Sequence, residues 1–146
     1  MIAPLDAITL VPGEAAGEVF VLAEPLSFWG GLDSATGRII DHWHPQHGAC
    51  IAGRILVMAA GRGSSSGSSV LAEAIRRGTG PAAVVLAARD AIVTVGAMVA
   101  AELYERHCPV VLAAPVVFAT AAAASRLAVR AEERAAVLSP SGSNPS

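Results

Sequence analysis

The segment Gly-Arg-Gly-Ser-Ser-Ser-Gly-Ser-Ser at residues 61–69 lies between an apolar run, residues 55–60, and an amphipathic run, residues 70–77. This order predicts a strand, a polar loop and then a helix. A loop at the start of a helix leaves several backbone N–H groups without helical partners, and the helix dipole adds positive potential there. The sequence therefore predicts an anion-binding loop, in which five hydroxyls and one guanidinium surround a carboxylate or a phosphate.

The length and composition predict one domain that binds another subunit. We assign residues 1–138 to the domain and residues 139–146, which are Ser, Pro, Gly and Asn, to a disordered tail. Apolar residues make up 53% of the chain and charged residues only 15%. The surface should therefore be unusually apolar, and large exposed apolar patches mark partner interfaces.

Charge and hydropathy argue against nucleic acid and membranes as partners. The formal net charge is −2 and the arginines are scattered, so the chain lacks the basic footprint of nucleic-acid binding. Residues 1–6 lack a basic region followed by an apolar core, and Glu102 interrupts the apolar residues 98–104. We expect a cytoplasmic protein. Cys50 and Cys108 are too few for a disulfide framework or a self-contained metal site, and we expect both to be small buried hydrophobes.

The hydrophobic periodicity predicts alternating strands and helices, and therefore an α/β fold with a parallel sheet covered by helices. The predicted strands are residues 18–22, 26–29 with a returning strand at 38–40, 51–60 as a buried central strand, 82–87 and 109–114. The predicted helices are residues 70–77, with Gly78 in the stop position, and residues 91–104.

The alanine-rich residues 119–138 allow two interpretations. Propensity alone predicts a helix. Residues 126–130 and 134–138 also alternate as two short strands around a turn. Periodicity does not choose between them.

Several other side chains have more than one possible role. His42, His44 and His47 suggest a metal site, but no fourth ligand is near in sequence, so a solvated or interface loop is favoured. Trp29 belongs either to the core or to an interface with a second subunit. Arg54, inside an apolar run, is predicted to be an edge residue with its charged end in water, with a buried salt bridge as the alternative.

Six blocks carry a resemblance to a known family. They are Glu-Pro-Leu-Ser-Phe-Trp-Gly-Gly-Leu-Asp at 24–33, Ala-Thr-Gly-Arg-Ile-Ile-Asp at 35–41, His-Pro-Gln-His-Gly at 44–48, Ile-Ala-Gly-Arg-Ile-Leu-Val at 51–57, Gly-Arg-Gly-Ser-Ser-Ser at 61–66 and Ala-Glu-Ala-Ile-Arg-Arg-Gly at 72–78. On these blocks the chain resembles the small subunit, or swivel domain, of the aconitase X family. The resemblance implies a swivelling β/β/α domain of the aconitase domain-4 type. Such a domain has a central, mainly parallel sheet, flanking helices and a β-hairpin layer, the hairpin strands being near residues 127–129 and 136–138.

The resemblance also implies a function. Members are subunits of hydro-lyases that act with a large catalytic subunit of the aconitase X type, which carries an iron–sulfur cluster. Bacterial members resemble cis-3-hydroxy-L-proline dehydratase, which forms pyrroline-2-carboxylate, and archaeal relatives dehydrate mevalonate 5-phosphate. Another aconitase-like hydroxy acid is a further candidate substrate. Apart from the resemblance, the same loop also allows a non-enzymatic module that binds an anion and regulates a partner.

Ser64 is the residue that matches the family's serine base, which removes the proton next to the substrate carboxylate. We expect Arg62, Gly63, Ser65 and Ser66 to surround the substrate, with Arg62 and the N–H groups of Ser65 and Ser66 stabilising the alkoxide. Ser65 and Ser66 are alternatively helix caps. No metal ligand is expected on this chain.

Overall fold

The computed structural model describes residues 3–142, which form nine strands and four helices. In chain order these are β1 Leu5–Val11, β2 Gly13–Val21, α1 Phe28–Gly31, β3 Leu32–Asp33, β4 Arg38–Ile39, β5 Ile55–Met58, α2 Gly67–Arg77, β6 Ala83–Leu86, α3 Ala91–Tyr104, β7 Val110–Leu112, α4 Pro115–Ala123, β8 Arg126–Ala131 and β9 Ala135–Ser141.

Seven strands close into a barrel in the order β1-β7-β6-β5-β2-β8-β9, and β9 pairs with β1. Strands β2, β5, β6 and β7 are parallel, whereas β1, β8 and β9 are antiparallel to their neighbours. The expected mainly parallel sheet is therefore wrong as a description of the whole sheet. Strand β1 pairs with β7 and strand β8 pairs with β2, which are the two edges of the parallel part of the sheet. Because β9 also pairs with β1, the sheet is mixed and closed.

Alternate residues of β5 serve two hydrophobic cores, as the pleat of a strand requires. Leu56 and Met58 pack in the core that includes the buried faces of α2 and α3. Ile55 and Val57 pack in the other core, with the β8–β9 hairpin and α4. All four side chains are buried, which confirms the prediction of a buried central strand here.

The predicted helices and parallel strands are all present, but two strands have different bounds: β2 begins five residues earlier than predicted, at Gly13, and β5 is Ile55–Met58 rather than residues 51–60. Helix α2 begins at Gly67, three residues before the first apolar position, because the preceding serines already form a turn in which Gly67 N–H donates to Ser64 O. It ends at Gly78, whose φ of +79° is the left-handed conformation that glycine adopts at low cost. Helix α3 begins after Asp90, whose side chain accepts a hydrogen bond from Val93 N–H.

The strand predicted at residues 26–29 is wrong. Phe28 and the residues after it form the short helical turn α1, where Gly30 takes a φ of +80° that a regular strand does not allow. Strand β4 pairs instead with β3.

The alanine-rich segment contains both of its predicted structures in succession. Helix α4 ends at Ala123, and β8 and β9 then form the antiparallel hairpin implied by the family resemblance. Strand β9 continues to Ser141, so the predicted start of a disordered tail at residue 139 is too early. Residues 143–146 of that predicted tail lie outside the described residues.

Large apolar side chains are numerous on the surface, as the composition predicts. Those with substantial exposure are Ile8, Trp29, Ile40, Trp43, Val95, Met98, Leu103, Tyr104, Val116 and Val137.

Candidate functional site

The Gly/Ser loop leaves the carboxyl end of β5 and enters the amino end of α2, where parallel α/β sheets commonly bind ligands. Its first glycine is held by a neighbouring element. Gly61 N–H donates to Asp90 Oδ2 at 2.7 Å, while Asp90 Oδ1 accepts from Val93 N–H at 3.0 Å. One carboxylate therefore joins the loop to the first turn of α3. Asp90 could have been noticed in the sequence as an N-cap, but not as a partner of this loop.

Gly63 shows why the loop needs glycine. Its φ is +96°, and a Cβ built on it would overlap Ser27 Oγ. Ser27 in turn donates from Oγ to Trp29 O at 3.1 Å. The position before Ser64 thus accepts no side chain without movement of the segment that precedes α1.

Ser64 is exposed, and its oxygen already receives a backbone donor. Ser66 N–H donates to Ser64 Oγ at 3.1 Å, and Gly67 N–H donates to Ser64 O at 2.9 Å. Ser66 occupies the N-cap position of α2 but makes no capping hydrogen bond with its own side chain. The hydroxyl of Ser64 therefore lies at a helix amino terminus with an N–H group directed at it, an arrangement that stabilises negative charge on oxygen.

Arg62 is part of the loop, but it is paired with a residue that the sequence did not suggest. Its Nη2 lies 3.8 Å from Asp41 Oδ2, and about half of the Arg62 side chain is exposed. Asp41 Oδ1 also accepts a hydrogen bond from Trp43 N–H at 3.0 Å. Arg62 thus connects the Gly/Ser loop to the loop at residues 41–48, rather than serving Ser64 alone.

Three apolar side chains beside this loop are exposed, and we call Trp29, Ile40 and Trp43 the aromatic face. Trp29 is 60% exposed and Trp43 is 94% exposed, so core packing is wrong for Trp29. Ile40 N–H donates to Gly31 O at 2.8 Å, which places Ile40 next to the segment of Trp29.

Backbone contacts join the aromatic face to the candidate site. A Cβ built on Gly67, the first residue of α2, would lie 3.6 Å from the backbone nitrogen of Trp29. Asp41, which follows Ile40, carries the ion pair with Arg62. The structure therefore places an exposed apolar patch beside the Gly/Ser loop, as expected for a surface that a partner covers.

The three histidines near residue 44 are arranged as a structured loop. His44 is buried, with Nε2 3.0 Å from Glu24 O and with Nδ1 accepting from Gln46 N–H at 3.1 Å. The rings of His42 and His47 stack with centroids 4.7 Å apart. Among residues 3–142, no group of three or more His, Cys, Asp or Glu side chains is placed to hold a metal ion.

The predictions for Cys108 and Arg54 are confirmed, and the prediction for Cys50 is wrong. Cys108 is buried, and burial raises the pKa of its thiol to about 12. Cys50 is only partly buried, with Sγ 3.5 Å from Thr36 O, so its predicted burial is wrong. Arg54 lies at the surface, with Nη2 3.7 Å from the exposed Glu18 and its guanidinium over the Phe20 ring, as expected for an edge residue.

Comparison with known proteins identifies the family. Residues 4–138 match the model of the aconitase X swivel domain. The chain belongs to this family. The crystal structure of Thermococcus kodakaraensis aconitase X in its holo-form shares 31% identity and a TM-score of 0.76, covering 94% of this chain and 99% of that one. The swivel-domain fold implied by the sequence is thus confirmed, with the sheet corrected as described above.

Two curated relatives of the aconitase X swivel domain are dehydratases by name. Cis-3-hydroxy-L-proline dehydratase of Pseudomonas aeruginosa is 47% identical over 102 residues, which cover 70% of this chain and 18% of that protein. The phosphomevalonate dehydratase small subunit of Methanothermobacter thermautotrophicus is 41% identical over 96 residues, which cover 66% of this chain and 73% of that subunit. The chain thus spans less than a fifth of the Pseudomonas protein.

No helix within residues 3–142 has both the length and the hydropathy that crossing a bilayer requires.

Proposed function

We propose that this aconitase X swivel domain is the small component of a heteromeric hydro-lyase, and that Ser64 is its catalytic base. The observation that carries the proposal is the hydrogen bond from Ser66 N–H to Ser64 Oγ at the amino end of α2. The dehydratase names of relatives at 41% and 47% identity support the reaction class. The proposed partner is a large catalytic polypeptide of the aconitase X type.

The base must be an alkoxide, because a neutral serine hydroxyl does not remove a proton from carbon. The donor on Ser64 Oγ and the dipole of α2 lower the free energy of that alkoxide. Both effects are weak in water and strong in a low-dielectric site. Since Ser64 is exposed in this chain, the large polypeptide has to cover it before it acts as a base.

The proposed substrate is cis-3-hydroxy-L-proline. Ser64 Oγ takes the proton from Cα, and the electrons of that C–H bond form a double bond between Cα and C3. The C3–O bond breaks with its electron pair on oxygen, and the hydroxide combines with the proton that Ser64 Oγ took from Cα, which gives water and restores the alkoxide. The enamine product then rearranges to pyrroline-2-carboxylate.

The rest of the loop would hold the substrate carboxylate. We assign this role to Arg62, Gly63, Ser65 and Ser66, whose exposed positions surround Ser64. Arg62 reaches the substrate by leaving or sharing Asp41. The 3.8 Å separation and the exposure of about half of the Arg62 side chain mean that such an exchange costs little free energy.

An iron–sulfur cluster supplies a Lewis acid that helps a hydroxyl group to leave. The described residues do not fit an iron–sulfur cluster. Cys108 is a buried protonated thiol, and no three His, Cys, Asp or Glu side chains among residues 3–142 are placed to hold a metal ion. We therefore assign the cluster to the large polypeptide. The role proposed for Ser64 requires no metal ligand from this chain.

Mevalonate 5-phosphate is the second candidate substrate. The archaeal phosphomevalonate dehydratase small subunit is nearly as similar to this chain as the hydroxyproline enzyme is. A helix amino terminus binds phosphate as readily as carboxylate, so the loop itself accepts either. The specificity must come largely from the large polypeptide.

Replacing Ser64 tests the proposal. In a complex of this chain with the aconitase X large polypeptide from the same genome, Ser64→Ala should lower kcat by about 10²- to 10⁴-fold, the usual contribution of a general base. Turnover of cis-3-hydroxy-L-proline and of mevalonate 5-phosphate would be followed by NMR. Ser139→Ala, an exposed serine of β9 in the hairpin, is the matched control and should remain within about twofold of wild type. Retention of more than about a tenth of the activity by Ser64→Ala would contradict the assignment.

A second measurement separates this proposal from an anion-binding regulatory module. Such a module would bind cis-3-hydroxy-L-proline or inorganic phosphate by itself, with amide shifts at residues 61–66 in NMR titration. The dehydratase proposal expects those shifts only when the large polypeptide is present.

A further inference from the structure

We propose that the aromatic face, Trp29, Ile40 and Trp43, is the surface on which the large polypeptide docks, with Trp43 as the anchor. The inference rests on the proposed function, because the occupant is the polypeptide that completes the dehydratase. It goes further by assigning the contact to particular side chains.

Hydrogen bonds of Gln46 and His44 hold the loop that carries Trp43 against residues 21–24. Gln46 Nε2 donates to Val21 O at 2.9 Å, and Ala23 N–H donates to Gln46 Oε1 at 2.9 Å. The buried ring of His44 is bonded on both nitrogens, to Glu24 O and to Gln46 N–H. Buried polar groups satisfied in this way specify one conformation.

Trp43 is exposed although its loop is rigid. At 94% exposure the indole contacts almost nothing in this chain, so the network beneath it does not serve to bury it. A tryptophan buries about 150–250 Å² when it is covered, and it is the residue type most enriched among binding hot spots. Because the loop is already ordered, docking would lose little conformational entropy.

The ion pair of Asp41 makes the docking surface continuous with the candidate site. One Asp41 oxygen accepts from Trp43 N–H, and the other lies 3.8 Å from Arg62. The backbone of Trp29 lies beside Gly67, the first residue of α2. A partner seated on the two tryptophans therefore extends over the Gly/Ser loop and excludes water from Ser64.

Because the aromatic face is continuous with the candidate site, the polypeptide that covers it should be the one that completes the site. In the Pseudomonas relative the matching segment is 18% of the polypeptide, so most of that protein is available to cover its swivel domain. A second copy of this chain would cover the loop with another swivel domain and leave Ser64 without a catalytic partner. We therefore commit to the large polypeptide.

Binding measurements on two matched variants test the proposal. Trp43→Ala should weaken binding of the large polypeptide by about 30-fold, the effect of a hot-spot residue, as measured by calorimetry. The control is Leu103→Ala, an apolar residue 68% exposed near the carboxyl end of α3. Helix α3 is about 20 Å long and its first turn adjoins the Gly/Ser loop, so Leu103 lies far from the aromatic face. Its variant should bind within about twofold of wild type.

A spectroscopic readout reports on the surface directly, because Trp29 and Trp43 are the two tryptophans of the sequence. In a chain labelled with 5-fluorotryptophan, both ¹⁹F resonances should shift when the unlabelled large polypeptide is added. Trp43→Ala should retain the wild-type melting temperature, because the side chain it removes is solvated.

The outcomes are distinguishable. If the wild-type complex forms and Trp43→Ala binds within threefold of wild type, the docking surface is wrong and the proposed function stands. If the wild-type chain does not bind the large polypeptide, both proposals are overturned. If the wild-type chain is a dimer that Trp43→Ala converts to a monomer, a second copy occupies the face and the docking proposal is overturned.

Discussion

Gly63 and Gly30 both have a positive φ, of +96° and +80°, but their surroundings differ. A Cβ on Gly63 would overlap Ser27 Oγ, whereas a Cβ on Gly30 would have no heavy atom within 4 Å. The first glycine is needed for its conformation and for the space next to it. The second is needed for its conformation alone.

Substituting alanine at each position separates these two costs. Gly30→Ala should lower the free energy of unfolding by about 1–2 kcal/mol, the cost of a left-handed conformation. Gly63→Ala should cost clearly more, because Ser27 must also move. Urea unfolding of both variants measures the difference. Equal losses would show that the loop relaxes away from Ser27 without cost.

Cys108 gives a pH dependence of stability. Burial raises the pKa of its thiol from the ordinary value of 9.0 to about 12. Above pH 9 the unfolded chain releases the thiol proton while the folded chain keeps it. The folded state then binds more protons, so the free energy of unfolding falls as the pH rises from about 9 to 12.

Urea unfolding of wild type and Cys108→Ala from pH 7.5 to pH 10.5 should reveal this contribution. The wild-type decline should approach about 1.4 kcal/mol per pH unit above pH 9, and the variant should decline less. Few other side chains interfere, because the chain has one tyrosine and no lysine. Parallel slopes for wild type and Cys108→Ala would contradict the raised pKa.

At the scale of elements, local sequence pattern predicts α2, α3 and the parallel strands, and it offers the β8–β9 hairpin as one of two alternatives, but it misses β1 and α1. Helices α2 and α3 show helical periodicity or a clear apolar run, and β5 and β6 are continuous apolar segments between turn residues. Strand β1 was missed because its side-chain types do not follow its alternating burial: Ile8 is apolar but occupies an exposed position. Residues 26–29 have strand-forming side chains, but the glycines that follow set the backbone as a turn.

In the candidate site, too, some features follow from local sequence pattern and others depend on the fold. The position of Ser64 between a strand and a helix follows from local pattern. The contacts of Ser27 with Gly63, of Asp41 with Arg62 and of Asp90 with Gly61 join segments far apart in the chain. Sequence periodicity carries no information on how loops approach one another, so these contacts required the fold.

Strand β9 provides a test of how its two faces differ. Leu138 is fully buried in the barrel core, and its neighbour Val137 is 38% exposed. Leu138→Ala should lower the free energy of unfolding by about 2–5 kcal/mol through lost burial and a cavity. Val137→Ala should cost under about 1 kcal/mol. Thermal and urea unfolding of both variants provide the comparison, and similar losses would show that β9 does not seal the core.

On the scale of the whole molecule, the parallel and antiparallel parts of the barrel have different roles. The β8–β9 hairpin and β1 complete the barrel, while the parallel strands place the loops after β5 and β6 at one edge, where Asp90 joins them. The site is thus built on the parallel part, and the antiparallel part closes the sheet behind it.

The pairing of β1 has a consequence for biosynthesis. Both of its neighbours, β7 and β9, are synthesised after it, because they lie about a hundred residues or more downstream. At about 5–20 residues per second, ribosomes need roughly 5–20 s to supply the first of them. For that interval the nascent strand has unpaired edges open to other chains. Closure of the barrel around β1 therefore has to wait until the carboxyl-terminal half of this domain has been translated.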